Sequence, residues 1–152
     1  MILVNQVGVY VNILNCRLKM YLAEVFKKNG VNLTGEQYLV MDTLWNEGTL
    51  TQQAIAFIIQ KDKNSVTQFI DNLEKKGLVT RSVSKDDRRV NNIVVTEEGM
   101  ALKDSTKQLA IETMEKAIKG ISDEDLLTFV AVLKKVCANI SDFGKNAEEL
   151  EL

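Results

Sequence analysis

The sequence of 152 residues contains no histidine, no proline and two cysteines. Without histidine, neither a Ser-His nor a Cys-His catalytic pair can form, and the commonest metal ligand is also missing. Without proline, helices can run long without kinks. Cys16 and Cys137 are far apart in sequence and suggest no disulfide framework. These absences argue against an enzyme, and we expect neither a metal nor a cofactor.

The chain also lacks an uninterrupted apolar run of about 18 residues, the length that spans a membrane. Its first residues carry no basic segment, and polar Asn5 and Gln6 soon interrupt the apolar stretch, which argues against a signal peptide. We therefore expect a cytoplasmic protein with no membrane partner.

The net charge is only −2, but the charged residues are unevenly distributed. Residues 61–89 hold eight basic and five acidic residues, a local charge of +3, which leaves −5 for the rest of the chain. A DNA-binding protein needs positive potential on one face only. The distribution is compatible with a nucleic-acid partner, although a charge cluster alone fits a solvated surface equally well.

The two end regions show the apolar period of helices. A first helix is predicted from about Val4 to Asn29, because its apolar residues recur in steps of three and four, as in a helix packed along another. A long helix is predicted after Thr96, then a break at residues 120–125 and a last helix that reaches about Ile140. Together these helices carry more apolar surface than a winged domain of about 65 residues can cover.

The middle of the chain predicts three shorter helices followed by a hairpin. Thr34 and Gln37 have the spacing of a capping box, and Thr51 is placed to cap the next helix. The predicted elements are helices over about 34–48, 51–59 and 63–76, and strands over about 78–84 and 90–95. Two helices joined by a few residues and followed directly by a hairpin form, in outline, a winged helix-turn-helix.

The helix 63–76 has a short, polar, amide-rich face opposite its apolar residues. Asn and Gln can pair bidentately with adenine, Ser and Thr can bond bases or phosphates, and the first helical turn attracts a phosphate. The candidate DNA contacts on this helix are Lys63, Asn64, Ser65, Thr67, Gln68 and Lys75. Asp71 lies on the same face and would repel phosphate, so it must point along the groove or pair with Lys75.

The turn between the two predicted strands is the second candidate contact. It carries Arg88 and Arg89 beside Asp86 and Asp87. A wing of this kind can place an arginine in a narrow minor groove, and the aspartates could orient the guanidinium by bidentate pairing. Without the helix-turn-helix before it, the same turn would read as a self-neutralised surface loop.

A series of short motifs, in this order and spacing, resembles the MarR (multiple antibiotic resistance regulator) family of transcription regulators. The motifs are Leu33-Thr34-x-x-Gln37, Leu50-Thr51-Gln52, the run from Leu73 to Val79, Asp87-Arg88-Arg89 and the run from Val95 to Gly99. The resemblance implies a single family domain over residues 1–152. Residues 1–30 and 100–152 would be dimerisation helices, and residues 34–96 the winged helix-turn-helix.

The resemblance also implies how DNA is bound and released. Residues 63–68 would enter the major groove and the wing arginines, Arg89 above all, would reach the minor groove. Gln68 stands where many members carry arginine, so the operator preference cannot be transferred. The family's effector pockets lie between the dimerisation helices and the winged domain. In this chain that places Phe26, Tyr38, Met41 and Trp45 near the pocket of a small aromatic or anionic effector.

Oxidation is the other signal that the resemblance implies. Members that sense hydroperoxides keep a reactive cysteine at the position that Tyr10 occupies here. Cys16 lies nearly two turns further along, near Arg17 and Lys19, whose charge can favour a thiolate. Cys137 stands in an apolar stripe, where a cysteine usually acts as a small hydrophobic residue.

We therefore expect a mostly α protein with a small β-hairpin wing and long N- and C-terminal dimerisation helices. Its predicted function is that of a repressor that binds a pseudo-palindromic operator in double-stranded DNA as a homodimer and is released by a small-molecule effector. The alternatives are a thiol-based redox regulator and a winged-helix module that binds protein without DNA.

Overall fold

The structure is a computed structural model that describes residues 2–140. The chain divides into two compact units, residues 1–117 and 118–152. The predicted dimerisation segment 100–152 is thus shared between the two units, and its residues 141–152 lie outside the described part. Within residues 2–140, no helix is both long and apolar enough to cross a membrane.

The order of the elements confirms the predicted fold class, a mostly helical chain with a small antiparallel sheet. The first unit contains α1 (Ile2–Lys28), α2 (Gly35–Glu47), β1 (Leu50–Thr51), α3 (Gln52–Ile58), α4 (Lys63–Lys75), β2 (Val79–Val83), β3 (Asn91–Val95), α5 (Glu97–Ala101) and α6 (Lys103–Ala117). The second unit contains α7 (Asp123–Asn139).

The helices begin where side chains can satisfy their free N–H groups. The predicted capping box is present: Thr34 Oγ1 accepts from the N–H of Gln37 at 3.1 Å, and the side chain of Gln37 accepts from the N–H of Thr34 at 3.1 Å. Thr51 caps α3 in the same way through the N–H of Ala54 at 3.1 Å. Gly48 ends α2 with a φ of +84°, a conformation that other residues rarely adopt.

The sheet has three strands in the order β1-β3-β2, whereas the sequence predicted only the hairpin of β2 and β3. The additional strand pairs Leu50 with Ile93 and Thr51 with Asn92. A strand of two residues is too short for alternation to reveal it, so only its pairing with β3 identifies it. It joins the start of α3 to the wing.

The core of the first unit lies where α2, α3 and α4 pack on the sheet and on the C-terminal end of α1. Its fully buried apolar side chains are Phe26, Val40, Met41, Leu44, Ile55, Val66, Ile70, Leu73, Val79 and Ile93. Trp45 is also buried, and its indole N–H donates to the carbonyl oxygen of Gly99 at 3.1 Å.

The segment after Thr96 differs from the single long helix that the sequence predicted. Thr96 does cap a helix, but α5 ends at Ala101, and α6 begins only at Lys103. Gly99 packs so closely that a Cβ atom there would lie 2.3 Å from the carbonyl oxygen of Leu78. Only glycine therefore lets α5 lie this close to the base of the wing.

The second unit is described over residues 118–140. Ser122 caps α7 by accepting from the N–H of Asp125 at 3.1 Å, as the predicted break and restart require. No residue between Asp123 and Asn139 is buried, although the helix carries Leu127, Phe129 and Val130.

Candidate nucleic-acid interface

The start of α4 is set by Asp62 rather than left open for an anion. The Asp62 carboxylate accepts from the backbone N–H of Ser65 at 2.9 Å and from the Ser65 hydroxyl at 2.6 Å. These hydrogen bonds from Ser65 lower the pKa of Asp62 below its usual value. The expected phosphate at this helix terminus would therefore meet a carboxylate, so the first turn of α4 is poorly suited to bind one.

The outward face of α4 carries four of its six candidate contacts in exposed positions: Lys63, Asn64, Gln68 and Lys75. Opposite them, Val66, Ile70 and Leu73 are buried, and Phe69 is half-buried. The α4 face defined by the four exposed residues holds two amides between two lysines. Such a surface can donate to and accept from base edges while its ends attract phosphates.

The other two candidates on α4 are half-buried and already hydrogen-bonded. Ser65 donates to Asp62, as described above. Thr67 donates its hydroxyl to the carbonyl oxygen of Lys63 at 2.9 Å and accepts from the side-chain amide of Gln52. Gln52 begins α3, so this contact ties the two helices of the helix-turn-helix together. Nothing in the sequence pattern had indicated this role for Gln52.

Asp71 pairs with an arginine of the wing and not with Lys75, the partner that helical spacing suggested. Arg81 on β2 places one guanidinium nitrogen 2.6 Å from Asp71 and another 2.9 Å from Glu74. The backbone N–H of Arg81 also donates to Glu74 at 3.2 Å. Helical spacing could not reveal this arrangement, because the turn after Gly77 brings the partners together.

The wing loop presents its two arginines differently from each other. The side chain of Arg89 is 91% exposed, yet its backbone N–H and its Nε both donate to the same oxygen of Asp87, at 2.9 and 3.3 Å. Asp87 therefore orients Arg89, although through one oxygen instead of the expected bidentate pair. Arg88 is exposed at the neighbouring position. Both guanidinium groups are accessible to a phosphate backbone or a groove.

The end of α4 is tied to the start of α2. The Lys76 ammonium donates to the side chain of Gln37 and to the carbonyl oxygen of Asn32, each at 2.8 Å. Burial lowers the pKa of Lys76 below its usual value. The side-chain oxygen of Gln37 thus accepts two hydrogen bonds, one from the N–H of Thr34 in the capping box and one from Lys76, which follows α4.

A cavity of about 400 Å³ lies between α1, α2 and α6. Its walls are mostly apolar, and they include Leu18, Leu22, Tyr38, Leu39, Ile111 and Met114. At the α1–α2 edge, Lys19 forms an ion pair with Glu36 at 2.7 Å. That pair lowers the pKa of Glu36 below its usual value, chiefly through the hydrogen bond from Lys19.

Of the four residues expected at an effector pocket, Tyr38 lines this cavity. Phe26, Met41 and Trp45 are buried in the core instead. Tyr38 packs edge-on against Phe26 with ring centres 5.4 Å apart, and against Trp45 at 6.4 Å. Burial, with a smaller contribution from Asp42, raises the pKa of Tyr38 to about 12. The helical spacing of aromatic residues in a sequence therefore does not show whether they line a pocket or lie in the core.

Both cysteines are exposed thiols. The Cys16 thiol donates to the side-chain oxygen of Asn12 at 3.9 Å. Within residues 2–140, no group of three or more histidine, cysteine, aspartate or glutamate side chains is placed to hold a metal ion.

Comparisons with known proteins agree on one family. The MarR family model matches residues 33–90. The HTH-type transcriptional regulator MhqR of Bacillus subtilis (strain 168) is 30% identical over 116 residues, which cover 76% of this chain and 79% of that protein. The residues that the family model matches include α3, α4 and the wing loop.

Solved structures share the fold at low sequence identity. A mutant of MarR from E. coli in complex with operator DNA has a TM-score of 0.80 at 22% identity, covering 86% of this chain and 93% of that one. The organohalide-sensing regulator RdhR, in its 2,4-dichlorophenol-bound form, has a TM-score of 0.87 at 17% identity, covering 95% and 86%. Because its sequence is similar to these relatives and its fold is the same, the chain belongs to the MarR family of winged-helix transcription regulators.

Proposed function

We propose that this regulator is a repressor that binds a pseudo-palindromic operator in double-stranded DNA as a homodimer and is released by a small aromatic effector. The observation that carries the proposal is the presence of two accessible polar surfaces on one compact unit. These are the α4 face and the wing loop with Arg89. The MarR structure from E. coli was solved with operator DNA, which supports the same use of the fold here.

The α4 face is the sequence-reading surface in this proposal. Gln68 and Asn64 are exposed amides one helical turn apart, so they can reach neighbouring base edges in the major groove. Lys63 and Lys75 lie at the two ends of the face, where they can contact phosphates and fix the register. Ser65 and Thr67 act by holding the helix in place, because their hydroxyls are already hydrogen-bonded.

In the proposed complex, the wing attaches the protein to the DNA duplex. Arg89 is exposed and oriented by Asp87, so it can enter a minor groove with little loss of side-chain freedom. Arg88 adds a second positive charge at the tip. Contacts of this kind strengthen binding to any duplex and make it dependent on salt.

Exposed apolar surface on each helical end supports the proposed homodimer. In α1, Ile2, Leu3 and Val4 are each more than 70% exposed, and in α7 Leu127 is 73% exposed. Apolar surface on this scale usually marks an interface. A dimer also fits the reading of two half-sites about 34 Å apart on one face of the duplex.

The cavity beside Tyr38 is the proposed effector site. Its volume of about 400 Å³ lies within the usual range for small-molecule pockets, and its walls are mostly apolar. Lys19 is already paired with Glu36, so an anion would have to break that pair, which favours an uncharged aromatic ligand. The RdhR structure contains a chlorinated phenol, which supports ligands of that class.

The decisive experiment measures binding to the DNA upstream of the protein's own gene across a salt series. Arg89→Ala should weaken binding to specific and random duplexes alike. Each lost phosphate contact reduces the log–log salt slope by about 0.9, so two wings should reduce it by nearly 2. Lys116→Gln, on the exposed face of α6, removes one charge per chain as a control and should leave the slope unchanged.

An unchanged slope and affinity for Arg89→Ala would show that the wing stays off the duplex. Absence of salt-dependent binding by the unaltered protein would instead favour a module that binds protein. In the same assay, 2,4-dichlorophenol should release the operator, and a complex that is insensitive to it would contradict the effector class.

A further inference from the structure

Arg81 joins the two elements that are proposed to contact DNA. It lies on β2, the first strand of the wing, and its side chain is 21% exposed. Its guanidinium pairs with Asp71 at 2.6 Å and with Glu74 at 2.9 Å, both on α4. Its backbone N–H adds a third bond, to Glu74 at 3.2 Å. Three bonds therefore connect one wing strand to one helix.

The planar fork of an arginine makes this connection directional. A guanidinium held at two nitrogens by two carboxylates cannot rotate freely, unlike a single ammonium group. Arg81 also neutralises Asp71, which lies next to the α4 face, between Gln68 and Lys75. An unpaired carboxylate at this position would repel the phosphate backbone.

Small changes at Arg81 are magnified at the wing tip. A strand rises about 3.3 Å per residue, so the loop that begins at Ser84 starts about 10 Å beyond Arg81. A tilt of about 10° at Arg81 would displace the start of the loop by about 2 Å. That displacement is large compared with the tolerance of a hydrogen bond between Arg89 and DNA.

We propose that Arg81 is a positioning residue for DNA recognition: it sets the wing at a fixed angle to α4 and keeps the Asp71 carboxylate away from phosphate. It acts through Arg89 and the α4 face and not by touching DNA itself. The proposal rests on the proposed DNA-binding function, and it assigns the coupling between helix and wing to one side chain.

The test is a double-mutant cycle between Arg81 and Arg89 on DNA binding. Arg81→Gln should weaken cognate binding roughly tenfold and lower the log–log salt slope by up to about 2, as Arg89→Ala does. In the Arg81→Gln background, Arg89→Ala should then change the slope and the affinity little, because the wing is already displaced. Lys116→Gln, which removes the same charge from α6, should retain the full Arg89→Ala effect.

Additive effects of Arg81→Gln and Arg89→Ala would overturn the proposal, even if Arg81→Gln lowers the melting temperature. A protein that binds no DNA before any substitution would overturn the proposed function first, so the two failures are distinguishable.

A second variant keeps the test decisive if Arg81→Gln does not fold. Asp71→Asn combined with Glu74→Gln removes both ion pairs of Arg81 and two negative charges per chain. A purely electrostatic role predicts tighter binding with the Arg89→Ala effect intact, which would contradict the proposal. A positioning role predicts that the Arg89→Ala effect shrinks in this double variant. In a protein that is otherwise unaltered, Arg81→Lys should keep less than half of the Arg89→Ala effect, because one ammonium cannot replace the planar fork of the guanidinium.

Discussion

The winged region and the last helix both carry many apolar residues, but they differ in how far those residues are buried. In the winged region, Ile55, Ile70 and Ile93 are fully buried by the helices and the sheet around them. In α7, Phe129 and Val130 remain nearly half exposed, and no residue from Asp123 to Asn139 is buried. The winged region completes its core within one chain. The last helix keeps apolar residues exposed, which supports the proposed dimer.

The first helix is buried near its C-terminal end and exposed near its N-terminal end. Phe26, near its C-terminal end, is fully buried in the core of the first unit, whereas Val4 is 75% exposed. Its C-terminal end therefore belongs to the winged core, and its N-terminal half resembles α7. The comparison predicts that mutations in the two regions fail in different ways, by loss of assembly or by loss of folding.

The largest expected effect is the loss of the dimer through α7. Phe129→Glu places a charge where the proposal buries an aromatic ring. Burial of a Phe contributes about 1.5–3 kcal/mol, and symmetry counts it twice. We expect a monomer in sedimentation at micromolar concentration and loss of specific operator binding.

Thr128→Glu is the matched control for this change. Thr128 is the exposed neighbour of Phe129 and lies outside the apolar stripe. It should remain dimeric, and its melting temperature should be close to that of the unaltered protein. A Phe129→Glu protein that still sediments as a dimer would remove α7 from the interface.

The next largest effect is a loss of folding stability in the winged region. In Gly99→Ala, the new Cβ would lie 2.3 Å from the carbonyl oxygen of Leu78 and 2.7 Å from Val95. Backbone must shift to relieve this overlap, which typically costs about 1–3 kcal/mol. The free energy of unfolding should fall by that amount in a denaturant titration.

Gly8→Ala provides the contrast in α1. A Cβ at Gly8 meets no atom within 4 Å, and alanine favours a helix by roughly 0.5–1 kcal/mol over glycine. This change should raise stability slightly. Equal destabilisation by Gly8→Ala and Gly99→Ala would mean that close packing at α5 is not what stabilises the wing base.

The last prediction leaves folding and assembly unchanged and separates base reading from attachment to the DNA backbone. Gln68→Ala should cost about 1–3 kcal/mol on the cognate operator and much less on random duplex, because it removes one base contact per half-site. The fold should be unaffected, since Gln68 is exposed and alanine is a good helix former. The measurement is a binding series over every base at each half-site position.

Two results would contradict the reading role of Gln68. An equal loss on all sequences would show that Gln68 only contacts the backbone. No loss on any sequence would show that the recognition face lies elsewhere on α4.

Local patterns in the sequence determined where most elements begin and end. The caps at Thr34, Thr51 and Thr96 and the stop at Gly48 were predictable, because a helix terminus is satisfied by residues within one turn of it. The inward and outward faces of α4 were also predictable from its period of 3.6 residues. These rules placed the candidate contacts of the helix-turn-helix on one face of α4.

Only the tertiary structure decided which of those residues are available and what holds them. The pairing of Leu50 with Ile93 and of Arg81 with Asp71 joins residues that are adjacent only after the chain turns back, so periodicity could not detect them. The same holds for Phe26, whose burial in the core depends on helices far from it in sequence. Sequence therefore determined the local elements, while packing between distant elements determined their partners, because long-range contacts leave no period in the chain.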